Sequence, residues 1–162
     1  MRVSLEWLKD YVDFDLAGTE LARVLTESLT ETEYLGSPSG DVSGVVAARV
    51  VSSGGHPDAD TLSVCVVDWG EGSSTVVCGA PNVRAGMTSV LALPGARLAG
   101  GMEVSERKIR GRRSHGMLVS AAELGLEEVS DGIIELESVE PGSDVREILG
   151  LDDEIIELDV QP

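Results

Sequence analysis

The chain has 162 residues, enough for one domain with a sizeable core that removes about 70% of the unfolded surface from water. Apolar residues make up 42% and aromatics only 3%, which excludes a disordered chain and leaves Val, Leu, Ile and Ala to fill the interior. A net charge of −17 repels phosphate backbones and excludes indiscriminate nucleic-acid binding, so any RNA contact must rest on a local basic patch.

The opening residues, MRVSLEWLKD, carry charges where a signal peptide needs an apolar run. No stretch approaches the roughly 18–20 apolar residues of a membrane-spanning helix. A soluble, cytoplasmic protein with no membrane partner is expected. Ser4 is placed to cap a short helix with Leu5, Leu8 and Val12 on one face and Trp7 beside them. A second helix is expected from about Thr19, with Leu21, Val24, Leu25 and Leu29 in its apolar stripe. Gly36-Ser37-Pro38-Ser39-Gly40 then reads as a boundary loop.

From Val42 onward the texture is that of short valine-rich runs. Strands are expected at Val45–Val51, Leu62–Asp68, Thr75–Cys78, Ser89–Leu93, Met102–Ile109 and Met117–Ser120. Gly54-Gly55, Gly70-Glu71-Gly72, Pro94-Gly95 and Gly100-Gly101 are the expected turns. That spacing predicts a small barrel or sandwich. Ala121–Leu126 reads as one helical turn and Gly132–Leu136 as a strand. Asp144–Leu149 reads as a helix with Asp144 as cap and Gly150 as stop, and Ile155–Val160 as a last strand. This strand has no place in a barrel and is expected to return to the N-terminal helices. The resulting fold class is mainly β with an α+β flank: a barrel over 40–141, inserted into a discontinuous domain of 1–39 with 142–162.

Arg107-Lys108-Ile109-Arg110-Gly111-Arg112-Arg113 places five of the chain's twelve Lys and Arg residues in seven positions. On a strand leading into a Gly turn, such residues can present guanidinium forks to phosphates, or simply form a solvated strand balanced by Glu103, Glu106 and Glu123. Ser114-His115-Gly116-Met117 follows directly, and its hydroxyl, ring and backbone N–H groups extend the same candidate face. His56-Pro57-Asp58-Ala59-Asp60 alternates a histidine with two carboxylates, but Pro57 and Asp58 favour a structural turn over a metal site. Cys65 and Cys78 lack zinc spacing or a neighbouring base and read as reduced core thiols. No P-loop, dinucleotide fingerprint or paired-acid motif occurs, so neither a catalytic nor a metal site is expected.

HPDADTLSV, VVCGAPNVRAGM, LPGARLAGG, IRGRRSHGMLVSAAELGL and DGIIEL together resemble, in order and spacing, the tRNA-binding domain found in several synthetases, an oligonucleotide-binding (OB-fold) barrel. The flanks, MRVSLEWLKDYVDFDLAGTELARVLTESLTETE and DVREILGLDDEIIELDVQP, resemble the N-terminal region of the bacterial phenylalanyl-tRNA synthetase β subunit. This resemblance implies RNA-facing positions at the turn containing His56 and Asp58 and around Ser114 and Met117. It implies that the last strand of the family runs on into further domains, whereas this chain stops at Gln161-Pro162. It places the editing site in those domains and the ATP- and Mg²⁺-dependent site on a separate α subunit, so no cofactor is expected in this chain. The implied partners are tRNA, the α subunit and the rest of the β subunit. Asp58 stands where the family usually has Asn, Thr61 where it has Lys, and Ser28-Leu29 where a Gly-Leu pair closes the second helix. The first two departures weaken phosphate contact at that turn. A purely structural or protein-interaction module, a free-standing tRNA-binding protein and, more remotely, a metal-dependent hydrolase on His56, Asp58 and Asp60 remain the alternatives.

Overall fold

In a computed structural model, residues 1–160 are described. The Gln161-Pro162 terminus lies outside the described residues. In chain order the elements are β1 (Arg2–Ser4), α1 (Leu5–Lys9), α2 (Gly18–Ser28), β2 (Thr32–Gly36), β3 (Ser43–His56), β4 (Ala59–Asp68) and β5 (Ser73–Cys78). These are followed by β6 (Thr88–Arg97), β7 (Arg107–Ile109), β8 (Arg112–Ser114), β9 (Met117–Leu118), β10 (Glu135–Leu136), α3 (Val145–Ile148) and β11 (Ile155–Leu158). The architecture is mainly β, with a small helical flank. The chain divides into two compact units: Met1–Gly40 with the residues from Gly150 onward, and Asp41–Leu149.

In the first unit, the two ends of the chain share an antiparallel sheet of order β1-β11-β2. Val3 lies opposite Ile156, which lies opposite Tyr34. Ser4 caps α1 by accepting the Trp7 N–H at 3.0 Å. The buried residues of α2 are Gly18, Leu21 and Ala22, and Leu25 packs beside the last two on the cluster of Leu5, Ile156 and Leu158. Val24 and Leu29 were expected in that stripe and are exposed. Val24 stands one position off the 21-22-25 face, and Leu29 is already past the helix end. In place of a glycine closure, the Ser28 hydroxyl donates to the Val24 carbonyl at 2.6 Å and Leu29 caps the helix at φ −135°.

In the second unit the strand order is β10-β6-β3-β4-β5, with β9 also on β6. The fourteen-residue β3 serves two neighbours: its first half pairs with β6 and its second half with β4, with register shifts in both ladders. Gly54 and Gly55, expected as a turn, lie inside β3 opposite Val64 and Ser63. The chain reverses at Pro57-Asp58 instead. Only the end of the expected strand Met102–Ile109 is a strand. Its first half folds back on the end of β6 through Leu98 N–H to Met102 O (2.8 Å) and Val104 N–H to Ala96 O (2.8 Å).

The sheet closes through the segment after β8. Val77 N–H donates to Ser114 Oγ at 2.9 Å, and His115 N–H donates to Thr75 O at 2.9 Å, both along β5. Two residues on, Met117 and Leu118 pair with Ala92 and Leu91 of β6. The path β6-β3-β4-β5-(114–116)-β9-β6 is therefore continuous. Inside it, Ala48, Val50, Cys65, Val67, Val76, Leu91, Leu118 and Ile133 form the core. The segment before α3 is zipped to β3 by Ala47 N–H to Ser143 O (3.0 Å) and Gly142 N–H to Ala47 O (2.8 Å), and Val145 is fully buried. So α3 lies in the barrel unit, and the units divide at Gly150 where the sequence suggested 142.

Candidate nucleic-acid interface

The basic run is a two-stranded hairpin, β7–β8, with Ile109 opposite Arg112 and a two-residue loop, Arg110-Gly111. Both loop residues have positive φ, +46° at Arg110 and +87° at Gly111, the signature of a type I′ turn. Gly111 suits that geometry. Arg110 does not, because a side chain with a Cβ pays for the left-handed region roughly 1 kcal/mol that Asn or Gly would largely avoid.

Register decides which cations point together. Arg107 is opposite Ser114 and Lys108 is opposite Arg113. Residues directly opposite share a face, so Lys108 and Arg113 stand side by side on one face. Arg107, Ile109, Arg112 and Ser114 share the other. Two like charges opposite each other are a local cost that fold stability does not explain. Among the described residues, Lys108, Arg110 and Arg112 make no ion pair, and all three are exposed. Arg113 is held by Glu106 at 3.2 Å, whose second oxygen lies 3.1 Å from His115 Nδ1. Arg107 Nε donates to Ser105 Oγ at 3.5 Å.

Two of the residues expected to face RNA do other work. His56 is 6% exposed; its Nδ1 accepts the Asp58 N–H at 3.1 Å, which leaves Nε2–H to donate to the Ile109 carbonyl at 3.3 Å. The ring thus ties the β3–β4 turn to the basic hairpin, and it has no lone pair left for a metal. Ser114 is 3% exposed, and its hydroxyl is spent accepting from Val77 N–H and donating to Gly116 O at 2.9 Å. Asp58 is exposed at the tip of its turn, and Met117 is half-buried beside the hairpin. Replacing Ser114 with alanine leaves a buried N–H without a partner and is expected to lower unfolding free energy by about 1–3 kcal/mol. Urea denaturation measures it; a loss within error would show that the hydroxyl does not help close the barrel.

Asn82 escaped notice in the sequence. Its amide accepts Ile133 N–H at 3.0 Å and donates to Ile133 O at 2.8 Å, clamping the 130–133 loop onto the β5–β6 connection. Cys65 and Cys78 are free and buried, and burial pushes both thiols above their ordinary value of 9.0. Such thiols stay protonated at neutral pH and are not nucleophiles. Their folded-state pKa values are raised, so their contribution to stability is complete below the unfolded value and falls as pH rises past it. Unfolding free energy is expected to stay level to about pH 8 and to decline beyond about pH 9, a decline that a Cys65→Ala/Cys78→Ala double variant reduces.

A family model described as a putative tRNA-binding domain matches residues 45–144. The chain is 44% identical to the phenylalanine–tRNA ligase beta subunit of Legionella pneumophila (strain Lens), covering 100% of this chain and 21% of that protein. It is 48% identical to the corresponding subunit of Symbiobacterium thermophilum, covering 99% of this chain and 18% of that protein. The chain spans about a fifth of the length of these curated relatives. Among solved structures it is similar to a MetRS-related protein from Pyrococcus horikoshii, with a TM-score of 0.46, 22% identity and coverage of 61% of this chain and 85% of that one. The region matched by the family model falls within the barrel unit, Asp41–Leu149, and contains the whole basic hairpin; the chain belongs to the family of putative tRNA-binding domains.

Proposed function

We propose that this chain is a non-catalytic, RNA-handling N-terminal part of a phenylalanine–tRNA ligase β subunit, and that the β7–β8 hairpin is its contact with tRNA phosphates. The observation that carries this reading is that Lys108 on one face, Arg112 on the other and Arg110 at the turn are exposed and unpaired among the described residues, on a single hairpin of a chain whose net charge is −17. Cations left without anions in so acidic a molecule have a use for an external anion. Arg107 and Arg113 extend the set, Met117 borders it, Asp58 opposes it, and His56 and Ser114 hold it in place. The OB-fold character of the barrel, cytoplasmic location, and association with an α subunit and further β-subunit domains belong to the same proposal. So does the placement of ATP and Mg²⁺ chemistry outside this chain.

The test is a titration of bulk tRNA at several salt concentrations. Three phosphate contacts give a log–log slope on the order of −3. A slope near zero, or no binding at low salt, would favour the second reading, a purely architectural module. The acidic surface and the Glu106–Arg113 pair are the observations on that side.

A further inference from the structure

Beside the hairpin lies a cleft of about 140 Å³, lined by Val77, Val104, Ile109, Met102 and Met117, with Glu103 and Arg107 among its polar lining. Val77 and Val104 are buried, so part of the lining belongs to the packed interior. The Met102–Ser105 wall is pinned to β6 by backbone bonds from Leu98, Val104 and Gly95, the last donating to Val104 O at 2.7 Å. Gly116, on the barrel-closing segment, completes the lining. The cleft is thus preformed, and its volume suits one ring rather than a drug-sized ligand. Met102 is 42% exposed, an apolar side chain left in water at the cleft. Among the described residues the Glu103 carboxylate has no hydrogen bond or ion pair. Arg107 belongs both to the cationic hairpin and to this cleft.

We propose that the cleft receives one unstacked base of an RNA strand whose phosphates lie on the hairpin, and that Glu103 favours a base presenting an amino donor. The inference rests on the phosphate-contact reading above and adds base recognition to it. Thioether and aliphatic surfaces take the face of a base, and a planar guanidinium stacks on it. A carboxylate accepts from the exocyclic amino group of cytosine and is repelled by the carbonyl oxygen that uracil carries at the same ring position. The adjoining cations fix the phosphates that deliver the base, so backbone and base are held together, as single-strand recognition requires.

Short oligocytidylate and oligouridylate, titrated against the chain at low salt, provide the test. Oligocytidylate is expected to bind about tenfold more tightly, with the same salt slope for both. Glu103→Gln should bring the ratio close to one, and Met102→Ala, at an exposed position, should weaken both without altering the slope. Salt-dependent binding with no preference for cytidylate, or a preference that survives Glu103→Gln, overturns the base site while the hairpin reading stands. If neither oligonucleotide nor bulk tRNA binds, the hairpin reading fails and the base site falls with it.

Discussion

Replacing Gly116 with alanine is expected to lower the unfolding free energy by about 3 kcal/mol, from positive-φ strain plus a close approach that cannot relax. Gly116 is buried with φ +112°, and a Cβ there would stand 2.5 Å from the Ala92 carbonyl oxygen. That oxygen lies on β6, opposite Met117, where the closing segment joins the sheet. Backbone must therefore move at the point where β5 and β9 are linked, and the Ser114–Val77 and His115–Thr75 bonds move with it. Gly86 provides the comparison: its φ is +89° and a Cβ there meets nothing within 4 Å. Gly86→Ala should cost only the conformational part, about 1 kcal/mol. In thermal unfolding the gap between the two variants should be roughly 4–8 °C. Equal losses would mean that the close approach to Ala92 does not matter for closure. Since the basic hairpin springs from Ser114, Gly116→Ala is also expected to blunt RNA binding, whereas Gly86→Ala is not.

The barrel was legible in the sequence because its signals are local. Valine-rich runs separated by glycine turns announce strands, and β4, β5 and β6 lie where those runs fall. The flank was half legible. Its last strand was visible, but its partners β1 and β2 are only three and five residues long, and neither carries an apolar alternation strong enough to stand out. The two misread segments share a cause. Gly54-Gly55 and Met102–Ser105 take their structure from distant partners, Val64 and Ser63 for the first and the end of β6 for the second. Local propensity yields to such partners.

The same division runs through the candidate site. Five cations in seven residues are visible to anyone reading the chain, but the pairing of Lys108 with Arg113 exists only once Arg110-Gly111 is read as a two-residue turn. His56 and Ser114 have side chains suited to binding, and the sequence alone cannot withdraw them from it. Their partners, the Ile109 carbonyl and the Val77 N–H, lie 53 and 37 positions away. Once those bonds are seen, both residues become supports that set where the hairpin stands. Glu106 reverses in the same way: from a generic counter-charge it becomes a carboxylate joined to Arg113 and His115. At this exposure the pair is worth little to the fold.

The second large effect is expected from Lys108→Ala/Arg110→Asn/Arg112→Ala, which should reduce tRNA affinity by roughly three orders of magnitude near 50 mM salt and flatten the salt slope. Each of the three side chains is exposed and without an anionic partner among the described residues, so their removal exposes no buried charge and should leave the fold intact. The asparagine is chosen for its backbone. Arg110 sits at φ +46°, where Asn is far more at home, so Arg110→Asn alone should raise unfolding free energy by about 0.5–1 kcal/mol. Alone it should also cost about tenfold in tRNA affinity and reduce the slope by about one. Stability and binding thus move in opposite directions at one residue, a combination that general damage to the hairpin does not produce. If Arg110→Asn stabilises the chain and leaves tRNA affinity unchanged, the arginine at the turn is not a phosphate contact, and the interface must be sought in Lys108 and Arg112. If it weakens binding while the hairpin gains stability, a positive charge is being held in an unfavourable backbone conformation for the sake of its reach.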